Sequence, residues 1–185
     1  MSVISYSELC ELVEAGIINA KPSQINGSSI DLTLDSIIRI ESPNTHGKPI
    51  DLASKENIIT TPINLTYPPY HCGYILQPNE MILASTSEIF NLPHNISAEY
   101  KLKSSMARNG LEHLNAGWCD AGWTNSKLTL ELKNVTRHHK LLLTVGMPIG
   151  QVIFYKHETV PTDKSYSVRG QYNNQIEVTE SKGIR

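Results

Sequence analysis

The run KSSMAR at residues 103–108 gathers two hydroxyls and two cations into six positions. Ser104 and Arg108 stand four residues apart, so on a helical turn they project from one face. With the free N–H groups of that turn, the hydroxyls of Ser104 and Ser105 and the point charge of Lys103, they would make a compact anion site. An ordinary capped helix start with an exposed arginine uses the same residues. Further on, in KLTLELK, Leu128, Leu130 and Leu132 take one strand face while Thr129, Glu131 and Lys133 take the other. A mid-strand glutamate between apolar neighbours is partly desolvated, the setting in which a carboxyl can shuttle protons near neutral pH. A solvated face, or an ion pair with Lys133, is the plainer alternative. Asp120 and Trp123 lie in GWCDAGW, where a strand pair would reverse. A carboxylate there can bind a sugar hydroxyl or cap the turn.

The elements that position these groups read as strands. Only the N-terminus is helical in pattern: Ser5 with Glu8 forms a capping box, Leu9, Leu12 and Val13 share one face, and Gly16 stops the turn. From SSIDLTLDSIIRI onward, apolar and polar residues alternate, with Ile30, Leu32 and Leu34 on one side. Residues 41–70 are rich in Pro, Asn and Thr and read as a long excursion. GYILQPNEMILASTSEIFNLP holds two strands around a Pro-Asn turn, and LTLELKNV and LLLTVGMPIGQVIFYKH supply more. Short strands at regular spacing predict a mainly β barrel or sandwich. The polar segment from about residue 164 to 185 predicts a mobile tail.

A chain of 185 residues with a net charge of −2 fits one domain and argues against nucleic acid as a partner. Cys10, Cys72 and Cys119 are odd in number and far apart, so neither a disulfide framework nor a thiolate metal site is expected, and a reducing cytoplasm is the simpler setting. No apolar run is long enough to predict a membrane span.

The segments INGSSIDLTL, LQPNEMILASTSEIFNLPHNISAEYKLKSSMARNGL, NAGWCDAGW, LTLELKN, VGMPIGQVIF and QYNNQ, in that order, resemble the deoxycytidine triphosphate deaminases of the trimeric deoxyuridine triphosphatase superfamily. The resemblance implies a distorted dUTPase-like β-barrel, a homotrimer with active sites at subunit interfaces, and magnesium bound through the triphosphate rather than by the protein. By position, Glu131 matches the catalytic glutamate. Ser104 and Arg108 match residues that place the water and the pyrimidine, and Ala116 matches an alanine whose carbonyl holds that water. The run Lys103, Ser104, Ser105, Met106, Ala107 and Arg108 falls in the phosphate-binding stretch, and Thr129, Leu130 and Glu131 in a further nucleotide-binding one. Asp120 matches an aspartate on the deoxyribose 3′-hydroxyl, while Tyr166 and Gln175 match residues of a tail that closes over the nucleotide. Gln171 stands where the family usually has lysine. Between Arg108 and Ala116 one residue fewer is present, and between Trp123 and Glu131 one more.

Hydrolytic deamination needs a water on C4 of cytosine and a group to move protons, which one carboxylate can do in turn. The H-x-E and P-C-x-x-C signature of zinc deaminases is absent from the sequence, so a zinc-independent reaction is expected, with Glu131 as general acid and base. Single-step conversion of dCTP to dUTP and ammonia is the first expectation. A bifunctional enzyme that continues to dUMP, a dUTPase alone, and a non-catalytic nucleotide-binding protein on the same barrel follow it.

Overall fold

The structure, a computed structural model, describes residues 1–45, 47–54 and 56–183. Ile184 and Arg185, the end of the expected tail, lie outside the described residues. In chain order the elements are β1 (Ser2–Val3), α1 (Tyr6–Glu14), β2 (Ile30–Thr33), β3 (Ile37–Glu41), β4 (Thr60–Asn64), β5 (Gly73–Leu76), β6 (Met81–Asn91), β7 (Ile96–Leu102), α2 (Ser104–Arg108), β8 (Leu111–His113), β9 (Trp118–Cys119), β10 (Thr124–Asn134), β11 (Leu141–Thr144), β12 (Pro148–Lys156) and α3 (Tyr166–Arg169).

The alternation read from the sequence is realised: β10 buries every second residue from Ser126 to Asn134. One sheet runs β1-β12-β7-β9 with β2 also on β12, another runs β4-β3-β6-β10-β8, and β5 pairs β11 in a ribbon. Phe154, Val152 and Leu32 from the first sheet meet Phe90, Leu130 and Leu132 from the second in one apolar core. The sheets are not joined into one hydrogen-bonded ring among the described residues, which makes the mainly β barrel an open and distorted one.

α1 forms where its pattern places it, with Leu9 fully buried and Gly16 at a φ of 72°. Its expected capping box does not form. Ser5 makes no side-chain cap bond, and Glu8 reaches instead to Lys156 at the end of β12, 3.1 Å away. Local turn signals also mislead about pairing. β5 and β6 flank a turn yet join different sheets, and so do β9 and β10, so Asp120–Trp123 carries the chain between sheets rather than around a hairpin. The extra residue in WTNSKLTL is absorbed in β10, where the register against β6 shifts between Thr124 and Ser126 and Asn125 takes a φ of 48°. A bulge adds a residue without moving the strand beyond it.

β7 and β12 come close enough that Gly150 is required. A methyl there would lie 2.1 Å from the Tyr100 ring. Gly150→Ala is therefore expected to lower stability by about 1–3 kcal/mol, the usual cost of overpacking, as read from the midpoint of chemical denaturation.

Candidate active site

Among the outward side chains of β10, Thr129 and Glu131 lie beside the turn that follows β9, and the two open onto one cavity of about 730 Å³. Ala116, Trp118, Cys119, Asp120 and Trp123 form a second wall. Residues Leu52, Ser54, Glu56, Asn57 and Ile58 of the excursion, with Tyr166, Tyr172, Gln175 and 179–181 of the tail, form the cover. Volumes of this size suit a small-molecule site.

The Asp120 carboxylate accepts from Trp118 Nε1–H at 2.8 Å. Cys119 beside it is buried, and burial, then the charge of Asp120, push its thiol up to about 12. It is a protonated packing group at neutral pH, not a nucleophile. Glu131 is 28% exposed, and its Oε2 lies 3.4 Å from His113 Nε2. Burial raises the Tyr166 phenol above its ordinary value, so it faces the cavity uncharged.

The tail lies along β10. Trp123 Nε1–H donates to the Tyr172 carbonyl at 2.8 Å, and the Lys127 N–H donates to the Gln175 carbonyl at 2.7 Å. Gln175 Nε2 donates to Thr129 Oγ1 at 2.8 Å. Farther on, Asn57 Nδ2 donates to the Ser181 carbonyl and Arg39 pairs with Glu180 at 2.8 Å. Among the described residues no group of three or more His, Cys, Asp or Glu side chains is placed to hold a metal ion, and no helix is long and apolar enough to cross a membrane.

Residues 3–157 match the dCTP deaminase-like family, which covers most of the chain and the whole of the cavity's β9 and β10 walls. The chain belongs to that family. It is 33% identical over 186 residues to a Rhodococcus jostii protein named "dCTP deaminase, dUMP-forming", with 97% of this chain and 95% of that one covered. A Mycobacterium marinum protein of the same name is 33% identical over 190 residues, covering 99% of this chain and 96% of that one. Among solved structures, the 2′-deoxycytidine 5′-triphosphate deaminase from Agrobacterium tumefaciens superposes with a TM-score of 0.60 at 21% identity. That superposition covers 82% of this chain and 47% of the other, so the chain spans about half the length of that neighbour, and the likeness establishes the fold.

In this dCTP deaminase-like chain, Ala116, Asp120, Thr129, Glu131, Tyr166 and Gln175 meet at the cavity, and the residues of 103–108 do not. The latter lie on and before α2, which follows β7. Lys103 Nζ is bound to Asp31 at 2.7 Å, Met106 packs against the core, and Ser104, Ser105, Ala107 and Arg108 are exposed. Leu130 is fully buried, so only its backbone can face a ligand. Gln171 turns toward the end of the tail, its carbonyl accepting from Lys182 Nζ at 2.6 Å. The excursion residues and His113 carried no motif and were missed. A lone histidine in EHLN and a Pro- and Asn-rich stretch show no chemistry until the chain folds them onto Glu131 and the tail.

The tail's hold on the excursion is pH-dependent. A hydrogen bond from Thr60, reinforced by Arg39, holds the Glu180 carboxyl below the usual range. Its folded value lies under its unfolded one, so its contribution is present above the ordinary glutamate range and is lost as pH falls through the lowered value. Hydrogen exchange of residues 176–183, corrected for intrinsic rate, is expected to show protection at neutral pH that is lost as pH falls below the ordinary glutamate range.

Proposed function

We propose that this protein hydrolyses deoxycytidine triphosphate in two steps, first to deoxyuridine triphosphate and ammonia, then to deoxyuridine monophosphate and diphosphate. The observation that carries the reading is one cavity that holds Glu131, Asp120, Ala116 and Thr129 together. Relatives matched over nearly their full length and named dUMP-forming support the second step. They favour it over the single-step, dUTP-forming reaction expected from the sequence, and that expectation is corrected on this ground.

In the first step a water held by the Ala116 carbonyl and the partner subunit's Ser104 attacks C4 of cytosine. Glu131 takes its proton and delivers it to the ring nitrogen, then moves the remaining hydroxyl proton to the amine, which leaves as ammonia while the C4 carbonyl forms. One water is consumed and one ammonia released. In the second step Asp120 directs a further water onto the α-phosphorus, and diphosphate leaves. Asp120 also holds the deoxyribose 3′-hydroxyl in this reading.

α2 lies away from its own chain's cavity, and for that reason the reading includes a homotrimer. Lys103, Ser104, Ser105 and Arg108 of the partner subunit would complete the site, with the backbone of 106–107 adding donors. Residues 1–185 are taken as one domain, whose tail from about residue 164 closes over the nucleotide through Tyr166, Gln171 and Gln175. Magnesium enters this reading as the counterion of the substrate's triphosphate.

The test is incubation of the purified protein with dCTP and magnesium, followed by anion-exchange separation. Deoxyuridine monophosphate with diphosphate is expected. Accumulating deoxyuridine triphosphate would overturn the second step, and unchanged dCTP would overturn both.

A further inference from the structure

Two buried polar atoms face one another across the cavity wall without a hydrogen-bond partner: Nε2 of His113 and Oε2 of Glu131. Their separation, 3.4 Å, is a few tenths of an ångström too long for an N–H···O bond. Leaving either atom unpaired in a dry site is costly, so something must satisfy them in the working state. Catalytic hydrogen bonds are often long without substrate and tighten when it binds.

His113 is held firmly enough to serve. It ends β8, where its Cα partner is Leu132, and its side chain is 4% exposed. The turn that follows it is tight: the Leu114 N–H donates to the Glu131 carbonyl at 3.3 Å, and the Asn115 N–H to the His113 carbonyl at 2.5 Å. The imidazole packs against the Tyr100 ring, with centroids 4.5 Å apart and planes at 55°. Tyr100 is itself buried and confined by two glycines, since a methyl on Gly150 would strike its ring and one on Gly117 would lie 2.8 Å from its backbone oxygen. The imidazole therefore has a fixed back wall, and its buried, unpartnered Nε2 lies 3.4 Å from the carboxylate.

We propose that His113 is a positioning residue which donates from Nε2 to Oε2 of Glu131 when substrate binds, leaving the other carboxylate oxygen aimed at the attacking water. The inference rests on Glu131 as the general acid and base, and it goes beyond that reading by naming what orients it. No chemistry is assigned to the imidazole itself. Its effect is on geometry, and misplacing a reacting group by about 1 Å can cost on the order of 10²-fold in rate.

Three variants of the full-length protein decide it, with steady-state deamination of dCTP and thermal unfolding measured on each. His113→Phe keeps the ring against Tyr100 and removes the nitrogen. His113→Gln restores a donor at similar reach, and His113→Asn carries the same amide one methylene short. The Phe and Asn variants are expected to lose roughly 10- to 100-fold in kcat with KM changed less than about threefold, and the Gln variant to recover most of the loss. Should the Phe variant fail to fold, the Gln against Asn comparison carries the test alone. The proposal is overturned if Asn or Phe retains kcat, if Gln is no better than Asn, or if the loss falls in KM. Glu131→Gln in the same assay separates the two levels. If that variant still deaminates, the reading of Glu131 fails; if it does not while the His113 series is flat, only the positioning role fails.

Discussion

Replacing Glu131 by glutamine is expected to lower dCTP deamination by about 10²- to 10⁴-fold, the usual worth of a positioned proton-transfer group, while hydrolysis of dUTP to dUMP stays within a few-fold of the parent. The substitution is nearly isosteric at a side chain that is 28% exposed, and the β10 backbone pairs with Leu83 through main-chain groups that it leaves intact. Stability should barely change. What is lost is the ability to accept a proton from water and return it to the ring nitrogen and the amine, because an amide neither takes nor gives that proton at neutral pH. Ammonia release from dCTP and diphosphate release from dUTP, followed in parallel, provide the check. Equal loss of both would mean that the glutamate supports the cavity rather than one reaction in it. Unchanged ammonia release would remove Glu131 from the mechanism.

The asymmetry between these two outcomes follows from where the groups sit, and that placement was only partly legible in the sequence. KLTLELK announces its own strand and both of its faces, because alternation records which side of a strand meets the core. KSSMAR likewise announces a short helical turn, and α2 forms there. The partners of each element were not legible. GWCDAGW and QPNEM look like hairpin turns, yet the strands on either side of each belong to different sheets, since pairing across the chain depends on long-range packing that no local window records. His113 escaped for a related reason: its chemistry comes from Tyr100, thirteen positions earlier, and from Glu131 on a neighbouring strand. The excursion carried no signal because its contribution is a surface, with Leu52 and Ile58 lining the same cavity as a tail that is more than a hundred residues away.

Trp123→Ala is expected to destabilise the fold by about 3–5 kcal/mol, the range for emptying a buried aromatic site, and to release the tail at the same time. Trp123 is 5% exposed and packs on Phe90 with ring centroids 5.2 Å apart, so its loss opens the core between β6 and the turn into β10. The same indole holds the Tyr172 carbonyl, which fastens the tail above the cavity. Trp123→Phe separates the two roles. It keeps most of the stack, and the Tyr172 carbonyl still shares the Ser126 hydroxyl proton, at 3.1 Å, with the Thr124 carbonyl at 2.8 Å, so a net loss of only about 1 kcal/mol is expected, that of a single hydrogen bond. Denaturant midpoints measure the first effect, and limited proteolysis between residues 170 and 183 measures the second. A Phe variant as unstable as the Ala variant would place the stabilisation in the hydrogen bond to the tail rather than in the core. Equal tail cleavage in parent and Ala variant would show that Gln175 and Glu180 hold the segment without the indole.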